Sequence, residues 1–365
     1  MRVNSRIKVL FLHNSLAEYR IAFWNSLNEK VDLEIVVTNQ KLDNAIYGLQ
    51  KGNIEANVKI WSDEIVAEVK KYDVVILPPP DRPKEFIIGI KLIRECRKNG
   101  IPTLFWTETW FYEGWKNSVV RKLKNVIHEQ MIKKISRSCS VCIAAGSMSS
   151  KYLSGINVPD EKIRIAIDSS TSPESGEEID VYKKYNIPKD KKVVLFFARL
   201  VKRKGLSILI KAFEQAKLEN TILLVCGEGE TRKENEQYVR DHGLENCVIF
   251  TGKIQPKQRR DYFKSATVYV LPSLYDVWGL TVNEALEVGT PVIVTKAVGA
   301  GYDLIDEDTG MVVQENDICA MKNALIYVCK EKMYSREKIK SVYSKYDIRH
   351  MSDSFYNIIL EATNK

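Results

Sequence analysis

Short apolar runs alternate along this chain with longer segments in which apolar residues recur every third or fourth position, the pattern of strands separated by helices. IKVLFLH predicts a first strand, YRIAFWNSLNEK a helix and VDLEIVVT a second strand. The series continues through strand YDVVILPP, helix EFIIGIKLIRECRKNG, strand PTLFWTE, a long helix ending near Arg137 and strand SVCIAAG. IDSSTSPESGEEID, from Ile167 to Asp180, lacks periodicity and reads as a linker. A second series follows: KKVVLFFARL, GLSILIKAFEQAK, NTILLVCGEG, a helix through ENEQYVRDHGL, NCVIFTGK, the short helix KQRRDYFKSA, TVYVLPS, a helix around Glu284, PVIVTKA and GMVVQ. Alternation of this kind implies parallel strands joined by crossover helices. The expected fold is therefore α/β, with two Rossmann-like doubly wound domains facing across a cleft. The boundaries read as 1–170, a linker at 171–189, 190–345, and a final amphipathic helix at 346–365 that closes the molecule by packing back on the first domain.

A length of 365 residues suits about two domains, and 45% hydrophobic with 28% charged residues is an ordinary globular composition. No apolar run reaches the roughly 18 residues of a membrane span, and KVLFLHNS is too short for a signal peptide, so a cytoplasmic protein is expected. Seven cysteines without framework spacing suit a reducing compartment. The pair Cys139 and Cys142 runs into apolar VCIAA and reads as buried, and the four histidines are too scattered to form a metal cluster by spacing. Of the net charge of +8, residues 1–168 carry 26 basic against 19 acidic, a difference of +7. The excess peaks between Lys116 and Arg137, where seven basic residues face the single acid Glu129 and interleave with apolar positions. Two readings stand for this helix: a core-packing element with a solvated basic side, or attachment to an anionic membrane surface. Nucleic acid is not expected, because no binding module accompanies the charge.

The stretch VYVLPSLYDVWGLTVNEALEVGTPVI reads as strand, loop and helix, with Asp276 in the loop and Glu284 in the first helical turns. Both carboxylates can face the crevice at the carboxyl ends of the strands, where open α/β sheets bind ligands. Arg199 and Lys204 directly follow another strand, and Gly205 opens the next helix, an arrangement that suits a diphosphate. Gly227 and Gly229 in CGEGE begin like a dinucleotide fingerprint, but Arg232 stands at the third glycine position, so a Rossmann cofactor is not called for.

Taken in order and spacing, FARLVKRKG, VCGEGE, FTGKI and VLPSLYDVWGLTVNEALEVGTPVI resemble the nucleotide-sugar-binding half of a family 4 retaining glycosyltransferase of the GT-B architecture, of the bacterial polysaccharide-biosynthesis type. The likeness covers residues 190 to 315, whereas the amino half matches in layout and in fragments such as EYRIAFWNSL. It implies that Arg199 and Lys204 hold the donor diphosphate, that Glu284 takes the ribose hydroxyls and that Asp276 faces the transferred sugar. It further implies that Trp278, Gly279 and Leu280 lie against sugar and phosphates and that Lys253 and Ile254 flank the base. Asp276 departs from the family, which more often has Glu there, so donor preference does not carry over. The implied reaction is metal-independent transfer of a hexose, with retained configuration, from a nucleotide sugar to a hydroxyl of a glycan. The implied acceptor is a lipid-linked glycan precursor of capsule or lipopolysaccharide at the inner membrane face. No cofactor is called for. The rival readings are a nucleotide-sugar epimerase on the same scaffold and a non-catalytic glycosyltransferase-like partner.

On the acceptor side the candidates are His13, at the end of the first strand, and Glu108, within the aromatic cluster TLFWTETWFYEGW. His13 equally fits a loop histidine satisfied by its neighbours. Asp306-Glu307-Asp308 has the form of a metal-binding DxD, but the Thr309-Gly310 that follows makes it a turn.

Overall fold

A computed structural model describes residues 6–39, 54–110, 119–172 and 178–364, with side chains in the third stretch from residue 125 onward. Tyr112 and Trp115 of the aromatic cluster and Lys116 lie outside the described residues, as do the side chains of Arg121, Lys122 and Lys124. The described chain divides into two units: residues 6–110, 119–169 and 348–364 form one, and residues 170–172 and 178–347 the other.

The first unit runs β1 (Lys8–His13), α1 (Ile21–Lys30), β2 (Asp32–Val37), β3 (Asn57–Ile60), α2 (Glu64–Glu68), β4 (Val74–Leu77), α3 (Pro83–Lys98), β5 (Thr103–Thr107), α4 (Val119–Ser138), β6 (Val141–Ala144), α5 (Ser147–Gly155) and β7 (Ile163–Ile165). Its seven strands form a parallel sheet in the order β3-β2-β1-β4-β5-β6-β7. Four strands read directly from the sequence because they are buried on both faces and appear as unbroken apolar runs, such as fully buried VVIL in β4. β3 was not readable in this way: NVKI has no buried residue, and its strand state comes from pairing with β2. α3 begins with Pro83 in its first turn, where a missing N–H costs nothing.

The second unit comprises α6 (Val181–Lys184), β8 (Lys192–Phe197), α7 (Leu206–Ala216), β9 (Thr221–Cys226), α8 (Arg232–Asp241), β10 (Val248–Gly252), α9 (Arg259–Ser265), β11 (Val268–Leu271), α10 (Thr281–Glu287), β12 (Val292–Thr295), α11 (Gly301–Leu304), β13 (Gly310–Val313), α12 (Ile318–Ile326) and α13 (Arg336–Tyr343). Its six parallel strands take the order β10-β9-β8-β11-β12-β13. α6 falls inside the stretch expected to link the domains. Asp180 caps it by accepting a hydrogen bond from the Lys183 N–H at 3.0 Å, a local signal at the helix start.

The last helix, α14 (Ile348–Thr363), belongs to the first unit. Met351, Phe355, Ile358, Ile359 and Ala362 make one apolar face at helical spacing, and all are buried. Phe355 packs its ring 4.8 Å from Phe23 and 5.4 Å from Trp106, both edge-on, within a core that includes Phe11 and Trp24.

Candidate functional site

In the second sheet the strand order reverses between β8 and β11, which opens a crevice outside their carboxyl ends. The loop after β8 carries Arg199, Arg203 and Lys204, and the loop after β11 carries Asp276. Two contacts bind these loops: the Leu274 N–H donates to the Arg203 carbonyl at 2.7 Å, and the Arg203 Nη1 donates to the Tyr275 carbonyl at 3.1 Å. Gly205 has φ +71°, and a Cβ there would stand 2.0 Å from the Pro272 carbonyl oxygen. Only glycine fits that close approach, so residue 205 positions the cations. Lys204 Nζ donates to Asp276 Oδ2, and Arg203 Nη1 lies 3.7 Å from Asp276 Oδ1. Arg199 is exposed and pairs with none of the described residues.

Glu284 lies in the first turn of α10 and is only 3% exposed. Arg259, at the start of α9, donates to it twice, from Nε to Oε2 at 3.0 Å and from Nη2 to Oε1 at 2.5 Å. Ser172 Oγ donates to Oε2 at 3.0 Å. Burial pushes this carboxyl above its ordinary range, while Arg259 and Ser172 pull it back. Arg203, Arg259 and Ser172 were not singled out from the sequence. Arg259 was legible only as one charge among several in KQRRDYF, and no local rule pairs it with a residue 25 positions onward.

The remaining expected donor residues are built into the same sheet in different ways. Trp278 is buried, with Nε1 donating to Asn283 Oδ1 at 3.0 Å. Gly279 was expected to lie against sugar and phosphates; a Cβ there would meet Val298 Cγ1 at 2.9 Å and Leu271 Cδ2 at 3.0 Å. Its φ of +101° and this internal packing already call for glycine. Gly227 and Gly229 press against the backbone of the cation-bearing loop, where a Cβ would lie 1.9 Å from the Ala198 oxygen and 2.3 Å from the Leu200 oxygen. Lys253 is exposed, Ile254 is 9% exposed and Leu280 is partly buried.

The sheet of the first unit reverses between β1 and β4, and His13 ends β1. Its Nδ1 lies 2.8 Å from the Ser15 carbonyl oxygen, which can only accept, so Nδ1 carries the proton. Burial, together with the nearby Arg20 charge, pushes the imidazole down to about 4. Glu108 accepts from Arg20 Nη2 at 2.5 Å. Arg20 also donates to both oxygens of Asp168, and its guanidinium carbon sits 4.4 Å from the centre of the Trp106 ring. Arg20 and Asp168 were missed because each is an unremarkable single charge in the sequence.

Asp306 Oδ1 accepts from the N–H groups of Asp308 and Thr309, both at 3.0 Å, so Asp306-Glu307-Asp308 is the expected turn. Among the described residues no cluster of His, Cys, Asp and Glu has metal-binding geometry. Cys139 and Cys142 are buried, with their sulfurs 3.5 Å apart. On α4, Ile132 and Ile135 face the core while Val126, Ile127, Lys134 and Arg137 are exposed. Among the described residues no helix is long and apolar enough to cross a membrane.

Residues 178–345 match the family described as Glycosyl transferases group 1. An uncharacterized glycosyltransferase of Methanocaldococcus jannaschii is 27% identical over 66% of this chain and 61% of its own length. A lipopolysaccharide core biosynthesis glycosyltransferase of Rhizobium meliloti is 31% identical over 37% of this chain and 38% of its own. The chain thus spans less than two thirds of the length of these curated relatives. Among solved structures, Anabaena HepE in complex with UDP aligns with TM-score 0.75 at 15% identity, over 97% of this chain and all of that one. A lipopolysaccharide outer core galactosyltransferase in its apo form aligns with TM-score 0.72 at 15% identity, over 97% and 99%. At these identities the likeness is one of fold. The chain therefore has the GT-B fold of two Rossmann-like units, and most of its second unit matches the group 1 glycosyl transferases.

Proposed function

We propose that this protein is a retaining, metal-independent glycosyltransferase that moves a hexose from a nucleoside diphosphate sugar to a hydroxyl of a glycan. One observation carries the reading: Arg203 and Lys204 gather with Asp276 at the switch point of one sheet, on a loop that also carries the exposed Arg199, and the helix after Asp276 holds a buried carboxylate, Glu284. Three cations suit the negative charge of a diphosphate. As the bond from the anomeric carbon to the phosphate oxygen breaks, its electron pair leaves with the phosphate, and Arg199 and Lys204 stabilise the growing charge. The acceptor oxygen bonds to the anomeric carbon on the face the phosphate leaves, and its proton passes to the departing phosphate oxygen. Lys204 turns from Asp276 to the phosphate in the loaded site, which frees Asp276 to accept from a sugar hydroxyl. The group 1 domain match supports the reaction class.

For the acceptor we propose a lipid-linked glycan of lipopolysaccharide or capsule assembly, reached by a cytoplasmic enzyme resting on the inner membrane face. The lipopolysaccharide core biosynthesis role of the Rhizobium relative and the exposed mixture of Val126, Ile127, Lys134 and Arg137 on α4 support this choice. His13 and Glu108 are the proposed acceptor-side residues.

The test is thermal denaturation with EDTA present, against UDP, GDP, ADP, CMP and NAD, followed by turnover of the matching nucleotide sugar. The expected result is stabilisation by one nucleoside diphosphate, since a ligand of the folded state raises its stability by mass action. Nucleotide release should then require an acceptor. Stabilisation by none of them would remove the donor site, and conversion of the nucleotide sugar without acceptor would favour an epimerase.

A further inference from the structure

Building on the acceptor reading above, we infer that Asp81 and His128 read one hydroxyl of an uncharged sugar ring at the place where the first sheet reverses. The backbone holds Asp81 firmly there. Pro78, Pro79 and Pro80 follow β4, each with its φ fixed by its own ring, and the Asp81 N–H donates to the Pro79 carbonyl at 2.9 Å. On the other side of the reversal, Asn14 follows His13 at the end of β1, and its Nδ2 donates to Asp81 Oδ2 at 2.5 Å. The two loops flanking the crevice outside β1 and β4 are thereby tied together. Asp81 Oδ1 holds no hydrogen bond among the described residues.

That oxygen faces His128 Nε2, on α4, at 3.8 Å. The separation is too long for a hydrogen bond and admits an oxygen about 2.8 Å from each atom. A sugar hydroxyl suits the gap in both directions, because it accepts from an imidazole N–H and donates to the carboxylate, which can only accept. Both groups are open to a ligand, the Asp81 side chain being 47% exposed and that of His128 26%. As a bare ion pair the contact contributes little, since a pair this exposed is screened by water. The same chemistry sets the ligand class. A phosphoryl or carboxylate oxygen has no proton to give to Asp81 and meets its charge. Neighbouring cations do not offset that charge: Lys84 Nζ donates to the Thr38 carbonyl at 2.6 Å, and Arg82 Nε lies 3.6 Å from Glu85 Oε2.

The experiment is ligand-observed NMR titration of the full chain with methyl α-glucoside, methyl α-galactoside and methyl α-mannoside, beside glucuronic acid and glucose 6-phosphate. At least one neutral glycoside should bind, and the two anions should bind at least about tenfold more weakly. Asp81→Asn and His128→Phe should each weaken the neutral glycoside about tenfold, as for a hydrogen bond to a charged group, while stabilisation by the nucleotide stays as in the wild type. Anions that bind as well as the neutral glycosides would overturn the inference, and so would an unchanged affinity in Asp81→Asn or the absence of binding by all three glycosides. The wild-type comparison decides alone if the variants do not fold. In each of these failures, stabilisation by a nucleoside diphosphate in the same preparation leaves the donor reading in place. Glycoside binding without any nucleotide stabilisation would instead bring down the donor reading and leave Asp81 and His128 as a sugar site.

Discussion

Arg20 and Asp168, separated by 148 positions, form a buried bidentate ion pair in which each residue is at most 1% exposed. Such a pair is easily broken at great cost, because removing one member strands the other charge in a low-dielectric interior. Arg20→Met should lower stability by about 3–5 kcal/mol in chemical denaturation. Arg20→Met combined with Asp168→Leu should recover part of that loss. A single variant as stable as the wild type would show that the pair contributes nothing.

Lys204→Ala should separate catalysis from folding. Asp276 keeps Arg203 3.7 Å away, so the stability loss should stay below the about 3–5 kcal/mol of a fully broken buried pair, while loss of one charge-stabilising donor should slow transfer by about a hundredfold to a thousandfold. Sugar transfer that falls only in step with the folded fraction would remove Lys204 from the chemistry.

His13 gives a pH signature. Its folded-state value of about 4 lies below the unfolded value near 6.5, so the unfolded chain binds more protons between these limits. The native state is therefore favoured fully above pH 6.5 and loses ground as pH falls from there toward 4. Because the ring is only partly buried, the loss should be about 2 kcal/mol or less. Melting temperatures of wild type and His13→Gln, taken from pH 7.5 to 4.5, should converge as the pH falls. Parallel curves would mean that His13 titrates normally.

Gly227→Ala should disturb the cation-bearing loop without touching any charge. A methyl there would fall 1.9 Å from the Ala198 carbonyl oxygen at φ +137°, so the loop must shift. A destabilisation of about 1–3 kcal/mol is expected, with weaker nucleotide binding by calorimetry. Unchanged binding would show that this glycine does not hold the loop in register.

Strands buried on both faces declared themselves as apolar runs, and Arg199 and Lys204 after β8, with Asp276 and Glu284 around α10, were readable from their spacing to those strands. What escaped was made by pairing across distance. β3 has no apolar face and exists through its ladder with β2, while Arg259 and Arg20 gain meaning only from carboxylates that the fold brings beside them. Gly279 is crowded by Val298 and Leu271, neighbours that no local sequence signal announces.

The placement of α14 bears on the order in which the protein can be completed as it leaves the ribosome. The aromatic cluster of Phe11, Phe23, Trp24 and Trp106 is finished by Phe355, which is synthesised after the whole second unit. At roughly 5–20 residues per second, translation from residue 169 to Phe355 leaves that apolar surface uncovered for roughly 10–40 seconds. The amino-terminal unit is thus the first to emerge and the last to be sealed, and a nascent chain halted before residue 348 would expose a sticky surface suited to chaperone capture.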